Sequence, residues 1–86
     1  MNKTPPQKEE YEVQLTPEII RTCRINLGMS QGKLAKEASV SVPLLGAIER
    51  DERPLLPHVA QRIRAAIPYT DEQIVELVST VRRLNQ

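Results

Sequence analysis

Apolar residues recur every three or four positions along most of the chain, a spacing that predicts amphipathic helices. The clearest stripe lies near the C-terminus and consists of Ile74, Leu77, Val78, Val81 and Leu84. Thr70 and Gln73 stand three residues apart just before it, as in a capping box, and predict a helix that ends near Leu84. This stripe, which we call the apolar seam, can complete the core of the monomer or pair with the same seam of a second copy in a homodimer. We expect it to contribute to dimerisation.

Two shorter helices are predicted in the first half of the chain by their start and stop residues. Thr16 can cap a helix that opens on a proline, and Gly28 can end it in the left-handed conformation, so this helix should span residues 17 to about 27. Ser30 is a second N-cap and predicts a helix over residues 31 to about 38.

A later helix is predicted between Pro57, near its start, and Pro68, which stops it. Its apolar residues form a core stripe of Val59, Ala60, Ile63, Ala66 and Ile67. Arg62 and Arg64 lie off this stripe, so we expect both side chains to be solvated.

Another helix is predicted after a tight turn at residues 39–41 and before the helix that starts near Pro57, and it is unusually apolar. A residue before proline avoids the α conformation, so Val42 is expected to act as the cap and Pro43 as the first helical residue. Leu45 and Ile48 should face the core. The positions expected to point outward are Val42, Pro43, Leu44, Gly46 and Ala47. None of these side chains can form a bidentate hydrogen bond with a base edge.

The N-terminal residues are polar by comparison. Residues 1–10 contain almost nothing apolar, so we expect them to be disordered or loosely attached. From Tyr11 to Leu15 apolar and polar residues alternate. That alternation fits a half-buried strand or an extended arm that packs Val13 and Leu15 on the domain, and we favour the arm.

The composition narrows the fold class. The chain has no Phe or Trp and only 2 Tyr, so its core must be built from Leu, Ile, Val and Ala. Such a core suits helices packed on helices, and an all-α fold is predicted. The lack of aromatic residues also removes the stacking surfaces on which proteins bind single-stranded nucleic acid.

Several other functional classes are not indicated. The lone Cys23 cannot form an internal disulfide, and 1 His and 1 Cys cannot supply the ligands of a structural zinc, so no metal is expected. No signal peptide or membrane span is recognisable, and we expect a cytoplasmic setting. No paired carboxylates, glycine-rich phosphate loop or nucleophile set is recognisable either, so we expect neither an enzyme nor a cofactor.

The charge is unevenly distributed along the chain. The net charge is only +1, but residues 16–67 hold eight basic against five acidic side chains, a balance of +3, and each flank sums to −1. A positive middle region is what phosphate binding requires, although a solvated helical surface can look the same.

The middle of the chain has the pattern of a helix-turn-helix. Its characteristic residues are Ser30-Gln31, Leu34-Ala35, Ala38-Ser39-Val40-Ser41, Ile48-Glu49-Arg50 and Arg53-Pro54. In these residues the chain resembles the Cro/cI-type (XRE) family of repressors, and the resemblance extends over about residues 17–67. It implies a five-helix, lambda-repressor-like domain that binds double-stranded DNA. We therefore divide the chain into a flexible arm (1–15), a helix-turn-helix domain (16–68) and a C-terminal helix (69–86).

The resemblance also implies roles for individual residues. It implies a bacterial or phage transcription regulator that binds specific sequences as a homodimer, with an ion pair between Arg24 and Glu49. In this family a Gln at the position of Gln31 holds a backbone phosphate. The DNA-contacting residues that it implies are Ser30, Gln31, Lys33, Ser41, Val42, Pro43, Leu44, Ala47, Arg50 and Arg53. Asp51 and Glu52 depart from the pattern, because the family generally carries a glycine and basic residues in this loop.

The apolar third helix leaves three interpretations open. It can contact thymine methyl groups, with phosphate contacts and DNA shape adding selectivity. It can instead bind a protein partner, in which case the chain is an adaptor or antagonist that keeps the helix-turn-helix shape. Finally, it can be covered by the chain's own arm or by a second copy. The motif favours DNA, whereas the side-chain chemistry favours a protein partner.

Overall fold

Five helices make up the regular structure of residues 13–85, the range that the computed structural model describes. In chain order they are α1 (Pro17–Asn26), α2 (Gln31–Ala38), α3 (Val42–Glu49), α4 (Pro57–Ala66) and α5 (Asp71–Leu84). No strand occurs in that range, which confirms the all-α prediction. Val13 and Leu15 pack partly buried against the core, whereas residues 1–12 of the expected arm lie outside the described residues.

Side-chain caps begin four of the five helices. The capping hydroxyls belong to Thr16, Ser30, Ser41 and Thr70, and each accepts a hydrogen bond from the backbone amide three residues later. At Thr70 the predicted capping box is complete, because Gln73 Oε1 accepts a hydrogen bond from the Thr70 amide at 2.9 Å. The first four amides of a helix have no partner inside it, so such caps determine where a helix begins. The predicted starts of α1, α2 and α5 are confirmed.

The start of α3 differs from the prediction. Val42, and not Pro43, is the first helical residue, and Ser41 is the N-cap. The Ser41 hydroxyl accepts a hydrogen bond from the Leu44 amide at 3.2 Å, and this bond stabilises a helical Val42 despite the proline that follows it. Pro43 occupies the second helical position, where no intrahelical bond needs its missing amide hydrogen.

The core is formed where α1 packs on α3 and α5 and where α2 packs on α3 and α4. Its largest fully buried side chains are Ile20, Leu34, Leu45, Ile48, Ile63, Ile74 and Cys23. Burial raises the pKa of the Cys23 thiol, which packs in the core as a small apolar residue. The helix-turn-helix is thus supported by α1 on one side and by α4 on the other.

The apolar seam of α5 divides between core and surface. Ile74 is 0% and Val78 is 7% exposed, so their predicted place in a dimer interface is corrected to a place in the monomer core. Both belong to the buried core cluster, and α5 packs on α1. Leu77 and Val81 are half-buried and Leu84 is exposed, so these three remain accessible.

Arg64 also departs from expectation, because its side chain is only partly exposed and is hydrogen-bonded within the protein. Its Nη2 donates hydrogen bonds to the Tyr69 carbonyl at 2.9 Å and to Asp71 Oδ1 at 2.6 Å. Its Nη1 donates to the Ile67 carbonyl at 3.2 Å. These bonds join the end of α4 to the start of α5 across a connection with no regular structure. Arg62 is exposed, as expected.

Candidate nucleic-acid interface

The turn between α2 and α3 begins at a residue in the left-handed conformation. Ser39 has a φ of 59°, and its amide donates a hydrogen bond to the Lys36 carbonyl at 3.2 Å. The next amide, that of Val40, donates to the Ala35 carbonyl at 3.0 Å. This is the Schellman pattern, which satisfies the last carbonyls of α2 while the chain reverses. Arg62 of α4 donates to the Ser39 carbonyl at 3.3 Å and braces the turn from outside.

A hydrogen-bonded network joins the first residue of α2 to the last residue of α3. Arg24 and Glu49 form a bidentate pair, with Nε 2.8 Å from Oε2 and Nη2 3.0 Å from Oε1. Gln31 Nε2 donates to Glu49 Oε1 at 3.1 Å. The Glu49 side chain is only 2% exposed, and a buried carboxylate is stable only with such partners. The expected pair is therefore in contact, and it holds α1, α2 and α3 together.

Gly46 lies beneath the side chains of Gln31 and Arg50, so its expected exposure is wrong. A Cβ at Gly46 would lie 3.2 Å from Gln31 Oε1 and 3.1 Å from Arg50 Nη1. Two long side chains, one from the start of α2 and one from just after α3, thus converge over the same backbone position. The pattern of α3 alone could not reveal this use of a glycine, because the neighbours that fill the space come from distant positions.

The first turn of α3 presents apolar side chains to solvent. Val42 is 46% exposed, and Ser41 and Pro43 beside it are also exposed. Leu44 and Ala47 are half-buried, and Leu44 packs against the core. The outward-facing surface is therefore narrower than the sequence predicted, and it is concentrated at the N-terminal end of the helix.

The basic residues of the predicted interface differ in their ion pairs. Lys33 Nζ lies 3.1 Å from Glu37 Oε2, and Arg50 Nη2 lies 3.1 Å from Glu52 Oε1. The hydrogen bond from Arg50 lowers the pKa of the Glu52 carboxyl. Both pairs are exposed and contribute little to folding. Arg53 forms no ion pair with any residue from 13 to 85.

The loop after α3 begins with a second left-handed residue that is not glycine. Asp51 has a φ of 62°, and its amide donates to the Ile48 carbonyl at 2.9 Å. The Glu52 amide donates to the Ala47 carbonyl at 2.8 Å, which completes another Schellman pattern. The departure from the family pattern at Asp51 therefore falls on a position whose conformation favours glycine.

Outside α2 and α3, residues 13–85 carry few features that indicate a functional site. No group of three or more His, Cys, Asp or Glu in that range could hold a metal ion. Among the same residues, no helix has the length and apolar character needed to cross a membrane. The exposed large apolar residues there are Ile25, Leu56, Val75 and Leu84.

Comparison with known proteins agrees with this geometry. A search of curated proteins and a search of solved structures each found no match. The family model HTH_3, described as helix-turn-helix, matches residues 20–74, which is more than half of the chain and includes all of α2, α3 and α4. The chain therefore belongs to the Cro/cI-type (XRE) family of helix-turn-helix proteins, whose members are DNA-binding transcription regulators.

Proposed function

We propose that this protein regulates transcription by binding specific sequences of duplex DNA as a homodimer. In helix-turn-helix proteins the second helix lies in the major groove with its N-terminal residues at the base edges, while the first crosses the backbone. By this mode α3 reads the sequence and α2 approaches a phosphate. We place the contacts on Ser30, Gln31, Lys33, Ser41, Val42, Pro43, Leu44, Ala47, Arg50 and Arg53.

The observation that carries this proposal is the convergence of Gln31 and Arg50 over Gly46. It brings together the start of α2 and the end of α3, where a DNA backbone would be held. Because Gln31 is already hydrogen-bonded to Glu49, its side chain does not have to be ordered when DNA binds, which lowers the entropic cost of binding. The N-terminus of α2 adds amides and a dipole that favour phosphate.

The experiment that tests specific binding is enrichment from a random pool of DNA duplexes, followed by affinity measurements between 50 and 200 mM salt. Affinity should fall by orders of magnitude over this range if several phosphates are contacted. The double variant Arg50→Ala/Arg53→Ala should bind at least about ten-fold more weakly, with the slope of log K against log salt reduced by about two.

The matched control is Arg83→Ala, which removes an exposed arginine of α5 and should leave affinity and salt slope unchanged. A pool that does not become enriched contradicts the proposal. Equal losses for the control and the double variant contradict it too, because binding would then depend on overall charge and not on the interface.

We place the dimer contact on the accessible part of the α5 seam, formed by Leu77, Val81 and Leu84. Ile25 of α1 is 61% exposed and lines a groove with Val81 between α1 and α5, which extends this apolar surface. In this arrangement residues 16–68 bind DNA and residues 69–86 dimerise. Two-fold symmetry would then present two copies of α3 to half-sites about one helical turn apart.

The dimer is tested with Leu84→Glu, measured by sedimentation equilibrium. This variant should be monomeric, fold normally because Leu84 is 75% exposed, and lose at least about ten-fold in affinity for a palindromic site. Val75→Glu is the control, because Val75 is 53% exposed on the same helix about half a turn around from Leu84. A Leu84→Glu protein that still dimerises contradicts this interface.

A second candidate function is supported by the exposure of Val42 and Pro43 on a helix expected to read DNA. In this alternative the chain is an adaptor or antagonist whose α3 binds a protein. A mainly apolar protein complex should hardly respond to salt between 50 and 200 mM, unlike a DNA complex. Val42→Asp should abolish such a complex, whereas Arg50→Ala/Arg53→Ala should leave it intact.

A further inference from the structure

The exposed side chains at the start of α3 are hydrocarbon, whereas helices that read bases usually present hydrogen-bond donors and acceptors there. Val42 is 46% exposed and Pro43 is exposed beside it, with Leu44 and Ala47 half-buried behind them. We refer to these four residues as the α3 apolar surface. Since N-terminal residues of the second helix are those that meet base edges, this surface is the part of α3 that would enter the groove.

Three polar side chains around the α3 apolar surface have partners within the protein. The Ser41 hydroxyl oxygen accepts a hydrogen bond from the Leu44 amide at 3.2 Å. Gln31 Nε2 is directed to the Glu49 carboxylate, and Arg50 at the far end of α3 is paired with Glu52. The four side chains of the surface carry no hydrogen-bonding group, so the surface itself cannot distinguish bases by hydrogen bonds.

The major groove contains one apolar feature that differs between bases, the C5-methyl group of thymine. Cytosine lacks this methyl group, and 5-methylcytosine carries it at the same position. We propose that the α3 apolar surface recognises C5-methyl groups of pyrimidines, so that this protein selects sites by their methyl pattern and responds to cytosine methylation. The inference rests on the proposed function and identifies the DNA feature that the same site reads.

The size and surroundings of the surface favour DNA over a protein partner. Two exposed side chains and two half-buried ones are far fewer than the roughly 20 to 30 residues that each side of a standard protein interface contributes. The surface also lies at the N-terminus of α3, whose dipole favours an anionic partner. Near the other end of the helix, Arg53 forms no ion pair with any residue from 13 to 85. Duplex DNA fits this combination, because it is a polyanion that carries small apolar methyl groups in its major groove.

The test uses the duplex enriched from the random pool and a copy in which every thymine is replaced by uracil, which removes only the methyl groups. Each contacted methyl should be worth about four-fold in affinity, which corresponds to about 0.8 kcal/mol for one buried carbon. Single replacements then locate the contacted positions. At each of these, changing T·A to C·G should weaken binding, and methylating that cytosine at C5 should recover part of the loss.

Two variants separate methyl recognition from general effects of uracil on DNA shape. Val42→Ala removes part of the hydrocarbon of the surface. It should reduce the ratio of the affinity for the thymine duplex to the affinity for the uracil duplex by about two- to four-fold. Arg53→Ala, which leaves the surface intact, should weaken both duplexes equally. An unchanged ratio in Val42→Ala would assign the uracil effect to DNA shape and overturn the inference.

Failure of this inference can be distinguished from failure of the proposed function. If the pool becomes enriched but uracil and thymine duplexes bind equally, the protein binds specific DNA without reading methyl groups, and only the inference is overturned. If no sequence is enriched while a protein complex forms that is lost in Val42→Asp, the proposed function fails together with it.

Discussion

Arg24 donates two parallel hydrogen bonds to the carboxylate of Glu49, from Nε to Oε2 at 2.8 Å and from Nη2 to Oε1 at 3.0 Å. Among residues 13–85 this ion pair is the most buried, with side-chain exposures of 13% and 2%. The same arginine donates from Nη1 to the Met29 carbonyl at 2.9 Å, so it also holds the connection between α1 and α2. Arg24 thus joins α1 to the end of α3 and to the connection that precedes α2.

Arg24→Ala should lower the free energy of unfolding by about 3–5 kcal/mol, because it leaves a buried carboxylate without its counter-charge. Urea denaturation measures the loss. The control is Arg82→Ala, which breaks an equally bidentate pair with Glu18 at 2.6 and 3.0 Å that is exposed to solvent. This variant should change stability little. Similar losses for the two would show that burial does not determine the strength of these pairs.

Gly46→Ala should destabilise the protein although alanine is the better helix former. The added methyl group would lie 3.1 Å from Arg50 Nη1 and 3.2 Å from Gln31 Oε1. The exposed Arg50 side chain can move into solvent, whereas Gln31 moves away at the expense of its bond to Glu49. That bond is to a charged group and is worth about 1.5–3 kcal/mol, more than the roughly 1 kcal/mol gained from helix propensity. In a Gln31→Ala background the sign should reverse, and Gly46→Ala should stabilise.

The control for Gly46 is Gly32→Ala on α2. A Cβ at Gly32 meets only Ser30 Oγ, at 3.8 Å, so the substitution should raise the free energy of unfolding by about 0.5–1 kcal/mol in either background. Thermal and urea denaturation of the two glycine variants in both backgrounds, each compared with its own parent, supply the measurement. A Gly46→Ala protein that is stabilised with Gln31 present would contradict the role assigned to this glycine.

The helix boundaries could be predicted because their signals are local. Thr16, Ser30 and Thr70 cap the helices that follow them, and Gly28 ends α1 with a φ of 72°, as its position in the sequence indicates. The prediction is wrong at the start of α3, because the Ser41 hydroxyl caps a helix that includes Val42 despite the proline that follows it.

The features that the sequence did not reveal depend on distant neighbours. Gly46 is buried because side chains from α2 and the loop after α3 meet over it. Arg64 is hydrogen-bonded to Tyr69 and Asp71 because the chain passes the end of α4 before α5 begins. Neither relationship follows from the spacing of residues along one helix. Which residues touch DNA remains a prediction, since it depends on a partner.

Ser39→Gly should raise the free energy of unfolding by about 0.5–1 kcal/mol. Ser39 has a φ of 59°, a conformation that costs a residue with a Cβ about 1–2 kcal/mol, partly offset by the entropy that a glycine loses on folding. The converse variant is Gly28→Ser, which should lower stability by a similar amount. Because nothing lies within 4 Å of a Cβ at Gly28, backbone conformation alone is tested. Changes of the same sign would contradict this explanation.

The stability contributed by the pair of Glu18 and Arg82 should depend on pH. A hydrogen bond from Arg82, assisted by its charge, lowers the pKa of the Glu18 carboxyl. A lowered pKa in the folded state means that the contribution is complete above the pKa of the unfolded chain and is lost as pH falls through the folded value. NMR titration of the Glu18 carboxyl should therefore show a higher pKa in Arg82→Ala, and Arg83→Ala should leave it unchanged.

Glu52→Gln should tighten DNA binding. Glu52 holds Arg50 in an ion pair at 3.1 Å and is itself a negative charge beside the proposed interface, so its neutralisation frees one cation for a phosphate. We expect the affinity to rise by about three- to ten-fold at low salt, with the slope of log K against log salt steeper by about one. The control Glu76→Gln neutralises an exposed carboxylate on α5 and should have no effect. In an Arg50→Ala background most of this increase in affinity should disappear. An increase that persists there in full would mean that Glu52 acts by repelling DNA and not by holding Arg50 in an ion pair.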